Sequence, residues 1–161
     1  MLKRQFAQHE CPLAQALGEI GDGWTLQIIR EAMYGTSQFE AFRANTGASR
    51  GLLADRLAHL TAAAILRKTK GDSDGRETFY QLTQKGHDLW PVMLSLMLWS
   101  EKHLQDKDIV SARSGKTGAR VTDVVAIDKA GNIIAPQDTV LQPGKDISPA
   151  FKARIKSASA P

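Results

Sequence analysis

The stretch LRKTKGDSDGRETFYQLT, residues 66–83, decides the fold of this chain. Its two ends alternate between side chains that can pack and side chains that face water, as half-buried β-strands do. The GDSDG cluster between them supplies the glycines and short polar side chains that a chain reversal needs. Leu66, Phe79, Tyr80 and Leu82 are expected to pack. The basic side chains near the tip are Arg67, Lys68, Lys70 and Arg76. The stretch therefore predicts a β-hairpin with a positively charged tip.

Two helices are predicted near the start of the chain. The segment PLAQALGEI begins at Pro12, which suits a first helical turn because its missing N–H would be unpaired there. Gly21 and Gly23 end that helix. A second segment, WTLQIIREAMYG, has apolar side chains at helical spacing and ends at Gly35. Its expected buried stripe is Trp24, Ile28, Ile29, Ala32 and Met33.

A short helix and a longer helix follow. SQFEAFRANTG is expected to start at Ser37 as N-cap, with Glu40 as capping-box partner, and to end at Gly47. After the turn TGAS, Ser49 is expected to cap the longer helix. The buried seam of that helix is Leu53, Leu57 and Leu60, spaced by about one turn.

The order of these elements indicates a function. A short helix, a turn, a second helix and a β-hairpin form a winged helix-turn-helix, in which the second helix enters the DNA major groove and the hairpin (the wing) lies along the adjacent backbone or minor groove. Phosphates favour a positive wing tip. We therefore predict an α+β, mainly α fold, and double-stranded DNA as the partner.

A long apolar segment follows the hairpin. Thr83 is expected to cap a helix running through QKGHDLWPVMLSLMLWSEKHL, kinked or restarted at Pro91. The stretch 89–99 is apolar almost all round, so it needs cover on two sides. A second copy of the chain is the expected cover; a central core helix is the alternative. The predicted dimer interface is Leu89, Met93, Leu94, Met97 and Leu98.

The last third of the chain is less regular. VTDVVAIDKAGNIIA is expected to form a β-hairpin around DKAG, and the final KSASAP is expected to fray. This predicts two parts: residues 1–104, the winged helix-turn-helix and dimerisation domain, and residues 105–161, a C-terminal β-hairpin extension.

Several segments in order resemble the HxlR-type winged-helix transcriptional regulators: CPLAQALGEIGDGWTLQIIREAMYG, FEAFRANTGASRGLLADRLAHL, ILRKT, YQLTQKG and LWPVMLSLMLW. The resemblance covers roughly residues 9–104. It implies a homodimer with flanking dimerisation helices at the N- and C-terminal ends of this region, bound to an operator with dyad symmetry, a recognition helix at 49–62 and a wing at 65–82. There are two departures. The family often has Ser-Pro and a basic residue where this chain has Ser49, Arg50 and Gly51, and Ala64 stands where glycine is common.

The predicted DNA contacts lie on the helix-turn-helix and the wing. They are Ser37, Gln38, Ser49, Arg50, Gly51, Arg56, Lys68, Lys70 and Arg76. The outward face of the recognition helix, with Asp55 and His59, is poor in cations, so only Ser49 and Arg50 are expected to make good contacts there. The wing is expected to anchor the phosphate backbone without reading sequence. The alternatives are a merely solvated helix and a hairpin charged for solubility.

Cys11 is a candidate redox sensor. It directly precedes Pro12, at a helix N-terminus whose free N–H groups favour a thiolate. His9, when protonated, would help, and Glu10 would oppose. The family resemblance implies that relatives sense oxidants or electrophiles at this position. The alternative, of equal weight, is a small buried packing residue.

Composition and motifs set the remaining expectations. The formal charge of +4 and the pI of about 9.3 permit an anionic partner, and the single cysteine favours a reducing cytoplasm. No signal peptide, membrane span, phosphate loop or nucleophile motif is evident, and the four histidines share no ligand spacing. We therefore predict no enzyme, no catalytic residue, no metal and no cofactor. A small-molecule or redox effector stays open, and the rival function is an interaction module that has lost DNA binding.

Overall fold

The computed structural model describes residues 9–71, 77–104, 106–107 and 109–158. The helices and strands are α1 Pro12–Ile20, α2 Gly23–Met33, α3 Phe39–Thr46, α4 Arg50–Ala62, β1 Leu66–Lys70, β2 Thr78–Leu82, α5 Gln84–His87, α6 Trp90–His103, β3 Ala126–Ile127, β4 Ile133–Ile134, the 3₁₀ turn Pro136–Asp138 and α7 Pro149–Ala158. This mainly helical fold with two small sheets confirms the predicted fold class. Within the described residues, no helix is long and apolar enough to cross a membrane.

The chain divides into two compact units that differ from the predicted division after residue 104. One contains Met1–Gly18 and Thr122–Pro161, and the other contains Glu19–Val121. In the first unit, the Glu10 carboxylate accepts hydrogen bonds from the Ser148 N–H and hydroxyl, at 2.9 and 2.7 Å. In the second, the Arg120 guanidinium lies 3.1 Å from the carboxylate of Glu101 on α6. Contacts this distant along the chain leave no local pattern in the sequence.

The core of the Glu19–Val121 unit is formed by α2, α3, α4 and the start of β1. Its fully buried apolar side chains are Ile28, Ile29, Phe42, Leu53, Leu57, Leu60, Ile65 and Leu66. The predicted leucine seam of α4 is therefore confirmed. Trp24, expected in the buried stripe of α2, is instead 38% exposed.

Ser49 caps α4 as predicted, and its hydroxyl accepts the Leu52 N–H. The predicted Ser37 cap is wrong: α3 begins after Gln38 and has no side-chain cap. The Ser37 carbonyl accepts the Tyr80 N–H of β2 at 2.7 Å, and Gln38 forms a β-bridge with Phe79. The segment before α3 thus pairs with the wing, and pairing with a distant strand overrides the local capping pattern.

The predicted hairpin is confirmed. β1 and β2 are antiparallel, in register from Leu66 opposite Leu82 to Lys70 opposite Thr78. Gly71 donates its N–H to the Glu77 carbonyl at 3.0 Å, which closes the described part of the ladder. The predicted contact Arg76 lies outside the described residues.

The segment after the hairpin docks against the end of α4. The Thr83 hydroxyl caps α5 by accepting the Gly86 N–H, and it lies 2.6 Å from the Ala64 carbonyl. The predicted cap is confirmed. Of the two outcomes expected at Pro91, a kink or a restart, the structure has the restart, because α5 ends after four residues. The new helix α6 begins at Trp90 with Pro91 in its first turn, where proline needs no N–H partner.

Ala64 occupies a strained backbone conformation, with φ of 54° in the left-handed region. An L-residue there costs about 1–2 kcal/mol, whereas glycine pays no such steric cost. The added freedom of glycine in the unfolded chain offsets about 0.4–1 kcal/mol. We expect Ala64→Gly to raise the free energy of unfolding by up to about 1 kcal/mol, measured by urea denaturation.

Ala63 supplies the matched control, because this neighbouring residue has an ordinary right-handed conformation with φ of −74°. Ala63→Gly should lower the free energy of unfolding by roughly 0.5–1 kcal/mol. Equal destabilisation by the two glycine substitutions would contradict the strain at residue 64.

The C-terminal hairpin is also confirmed, with Ala126 opposite Ile134 and Ile127 opposite Ile133. Helix α7 was not predicted. Its local signals are Ser148, whose hydroxyl accepts the Phe151 N–H at 3.2 Å, and Pro149 at the first helical position. Residues 159–161 of the tail predicted to fray lie outside the described residues.

Candidate nucleic-acid interface

The turn between α3 and α4 exposes the start of the recognition helix. Gly47 adopts a φ of 73° and donates its N–H to the Arg43 carbonyl, which ends α3 in a left-handed cap. Ala48 is buried, and the next three residues, Ser49, Arg50 and Gly51, are exposed. Three of the predicted DNA contacts therefore lie together at the free N-terminal turn of α4, where unpaired backbone N–H groups favour phosphate.

The exposed Arg50 side chain contacts two residues of α3. Its guanidinium pairs with the Glu40 carboxylate and lies 5.3 Å from the ring centroid of Phe39. Glu40 also pairs with Arg43 at 2.9 Å. The Arg43 hydrogen bond and the nearby Arg50 charge hold the pKa of Glu40 below its usual value. Because these side chains are exposed, the Arg50 pair is weak, and Arg43 also pairs with Glu40.

Arg56 has a partner within the chain. Its Nε and Nη2 donate to the two carboxylate oxygens of Asp22 at 2.8 and 3.1 Å. The same carboxylate accepts the Thr25 N–H and caps α2. Arg56 thus joins the middle of α4 to the N-terminus of α2, with only 22% of its side chain exposed.

His59 was expected to face outward, but it does not. One ring nitrogen lies 2.8 Å from the Glu19 carbonyl, and the side chain is half-buried. The corner between α1 and α2 covers this flank of α4. The outward face that remains consists of small residues and one carboxylate, namely Gly51, Ala54, Asp55, Ala58 and Ala62.

The wing presents two exposed cations on one side of β1. Lys68 and Lys70 are two residues apart, so their side chains point to the same face of the strand. Within the described part of the chain, neither ammonium group has a hydrogen-bond or ion-pair partner. Arg67 belongs to the other face, where it donates to the Gln81 side-chain carbonyl at 2.9 Å.

A buried carboxylate that the sequence analysis missed joins the first helix of the motif to α2. Glu31 is 6% exposed and accepts hydrogen bonds from Arg30 at 2.7 Å, Asn45 at 2.9 Å and Thr36 at 3.2 Å. Burial would raise the pKa of Glu31, but these donors together lower it. The available signal was a glutamate one turn after the buried Ile28, on the apolar stripe of α2.

The structure divides the apolar surface of α6 between two sides. Leu94 is buried within its own chain, and Leu89 and Met93 pack against the core. Met97 and Leu98 are half-buried. The predicted interface residues therefore lie mostly on the inward side. The exposed apolar residues of the helix are Trp90, Val92, Leu96 and Trp99.

Cys11 lies at the N-terminus of α1, as predicted. Its side chain is half-buried, and its carbonyl accepts the Gln15 N–H at 3.0 Å. The Cys11 N–H donates to Nδ1 of His9 at 3.1 Å. The hydrogen bonds from Ser148 lower the pKa of Glu10. The residue directly before Cys11 is therefore held in its carboxylate form. Among the described residues, no cluster of three histidine, cysteine or acidic side chains could hold a metal ion.

Comparison with known proteins agrees with this geometry. Residues 19–108 match the HxlR-like helix-turn-helix family model. Uncharacterised HTH-type transcriptional regulators from Mycobacterium bovis and Mycobacterium tuberculosis are each 28% identical to this chain, over 91% of both proteins. The crystal structure of PA1607, a proposed transcription factor, is 29% identical and covers 88% of this chain and 99% of its own, with a TM-score of 0.78.

Two regulators of known redox state also share the fold. The oxidised form of the redox regulator HypR is 25% identical, covers 59% of this chain and 99% of its own, and has a TM-score of 0.55. The reduced form of the transcriptional regulator YodB from B. subtilis is 25% identical, covers 62% of this chain and 100% of its own, and has a TM-score of 0.53. The chain therefore belongs to the HxlR-like helix-turn-helix family of DNA-binding transcriptional regulators.

Proposed function

We propose that this protein acts as a homodimer on a bacterial operator with dyad symmetry, in the cytoplasm. The observation that supports the proposal is that one motif exposes both the first turn of α4 and the basic strand β1. These elements follow directly in sequence and share one core, so a single duplex can meet both.

The residues of the proposed DNA interface have different roles. Arg50 is the proposed base contact, because an arginine at the start of a recognition helix can donate two hydrogen bonds to guanine. Ser49, Lys68 and Lys70 are proposed phosphate contacts, which position the protein without reading sequence. Arg43, exposed on α3, is a further candidate for the backbone. The Arg56 guanidinium donates hydrogen bonds to the Asp22 carboxylate, so its proposed role is to orient α4.

Selection of bound sequences from random duplex DNA tests the proposal. We expect an enriched motif with two inverted half-sites, one for each recognition helix. If every duplex binds equally weakly at moderate salt, the protein is an interaction module on a winged-helix scaffold, and the DNA proposal fails.

The dimer is proposed to form through the outward side of α6. Val92 and Trp99 are 45% and 55% exposed, although such apolar side chains favour burial. We expect Trp99→Glu to yield a monomer in sedimentation velocity and to lose operator binding, because it would place an unpaired charge in an apolar interface.

The matched control for this prediction is Lys102→Glu, which changes an exposed polar residue of the same helix. It should leave the dimer intact. A wild-type monomer at micromolar concentration would contradict the dimer altogether.

A second candidate activity is redox sensing at Cys11, supported by its place at the start of α1 and by the similar redox regulator HypR. With one cysteine per chain, diamide can join two Cys11 residues of a dimer. The two thiols lose two electrons and two protons, and diamide becomes the corresponding hydrazine.

We expect diamide to change the operator affinity of the wild type and not that of Cys11→Ser. Gel electrophoresis without reductant should show the linked dimer in the wild type only. Equal responses of the two proteins would leave Cys11 as a packing residue.

A further inference from the structure

An apolar groove of about 420 Å³ lies between α2 and α6, and residues 110–112 also line it. Its volume falls in the range of roughly 300–1,000 Å³ that small-molecule sites occupy. Three methionines and two aromatic rings dominate the lining, namely Met33, Met93, Met97, Tyr34 and Trp90. Flexible thioethers beside flat rings suit an apolar ligand of variable shape.

Arg30 is a cationic residue in the lining of this groove. Arg30 uses Nε and Nη2 on the same oxygen of Glu31, at 3.2 and 2.7 Å. Within the described residues, its Nη1 has no hydrogen-bond partner, and 36% of its side chain is exposed. A guanidinium beside an apolar cavity complements a ligand with one carboxylate and an apolar body.

A second copy of the chain is a less suitable occupant. Val92 and Trp99 are two of the four exposed apolar residues of α6, and they do not line the groove, whereas Trp90 and Leu96 do. A dimer contact centred on Val92 and Trp99 leaves the groove open. We propose that the groove binds a small apolar carboxylate, aromatic or aliphatic, with Arg30 as its charge partner.

The groove has a direct connection to the helix-turn-helix. The other oxygen of Glu31 accepts hydrogen bonds from Asn45 of α3 and from Thr36, which precedes α3. A ligand carboxylate that draws Arg30 away leaves Glu31 without its cation. This loosens the link between α2 and α3, and duplex affinity falls. This regulatory step rests on the proposed function, whereas ligand binding itself does not.

The test compares 1-naphthoate with the neutral 1-naphthalenemethanol, by calorimetry and by Trp90 fluorescence, without DNA. We expect naphthoate to bind once per chain and at least about tenfold more tightly than the alcohol, as a charge-assisted hydrogen bond implies. Arg30→Gln should reduce naphthoate affinity to that of the alcohol, and Arg30→Lys should give an intermediate value. Met97→Trp, which fills the groove, should abolish binding of both compounds.

Lys102→Met is the matched control, because it removes a cation of α6 that does not line the groove. It should leave naphthoate binding unchanged. Equal affinity for acid and alcohol, equal losses in the Arg30 and Lys102 variants, or no binding at millimolar naphthoate would overturn the site. Dissociation of the dimer by Met97→Trp would show that a second copy fills the groove, and naphthoate binding intact in that variant would place the naphthoate site elsewhere; either result would overturn the proposal.

Duplex affinity measured with and without naphthoate tests the regulatory step separately. We expect weaker duplex binding in the wild type and no change in Met97→Trp. Naphthoate that binds without changing duplex affinity would overturn the regulatory step. Failure of all duplex binding would instead count against the proposed function, while the ligand measurements would stand.

Discussion

Replacing Lys68 and Lys70 together by alanine is expected to weaken binding to every duplex by roughly a hundred- to a thousandfold at 0.1 M salt. Both ammonium groups are exposed on one face of β1. A dimer would lose four phosphate contacts, and each contact adds about −0.9 to the slope of log K against log salt. The slope should therefore become less steep by about 3 to 4. Titrations of operator and random duplex over a range of salt measure both quantities.

Lys102 and Lys107 provide the control pair, because both are exposed lysines outside the hairpin. Their double alanine variant has the same net charge but should keep most of the affinity and nearly the full salt slope. Equal losses in the two double variants would show that net charge, and not the wing, attracts DNA.

Arg50→Ala should behave differently from the wing variant. It should relax the preference for one base pair by about 1–3 kcal/mol, because the proposed guanine contact is lost. A uniform loss over all sequences would mean that Arg50 contacts phosphate only.

Gly86→Ala is expected to lower the free energy of unfolding by about 3 kcal/mol. A Cβ at this position would overlap the Ile65 carbonyl oxygen and lie 2.7 Å from Cδ2 of Leu82. The Ile65 carbonyl cannot move freely, because it accepts the Thr83 N–H at 3.0 Å where the wing meets α5. Urea denaturation measures the loss, and an unchanged m-value would indicate that the fold itself is kept.

Gly23→Ala is the matched control at another helical glycine. A Cβ at Gly23 would meet no atom within 4 Å. This variant should change stability by less than about 1 kcal/mol, in the stabilising direction. A similar small effect at Gly86 would show that the segment 83–87 can shift away from β1 without cost.

Local features of the sequence were sufficient to predict the helix-turn-helix and the wing. The leucine seam of α4, its Ser49 cap and the Gly47 turn depend on helical periodicity and on the backbone preferences of a few residues. The alternating strands and the restart at Pro91 are local in the same sense. The sequence therefore predicted the order of elements that the family match confirms.

The sequence did not predict which side of α6 faces the core. A helix that is apolar almost all round has no periodic signal to say which side faces its own core. The structure buries Leu94 and exposes Trp99, so the proposed dimer face moved to the other side of the helix.

The polar contacts between distant segments also depended on the tertiary structure. Arg56 and Asp22 are 34 residues apart, and Ser37 pairs with Tyr80 across the motif. A sequence pattern shows that Arg56 is a cation and that Ser37 can cap a helix, but a charge or a hydroxyl acts on whatever lies within a few ångströms. The sequence by itself determined the recognition helix and the wing, because their signals are local. Only the tertiary structure decided which of their polar side chains are free for DNA, because it brings the competing partners together.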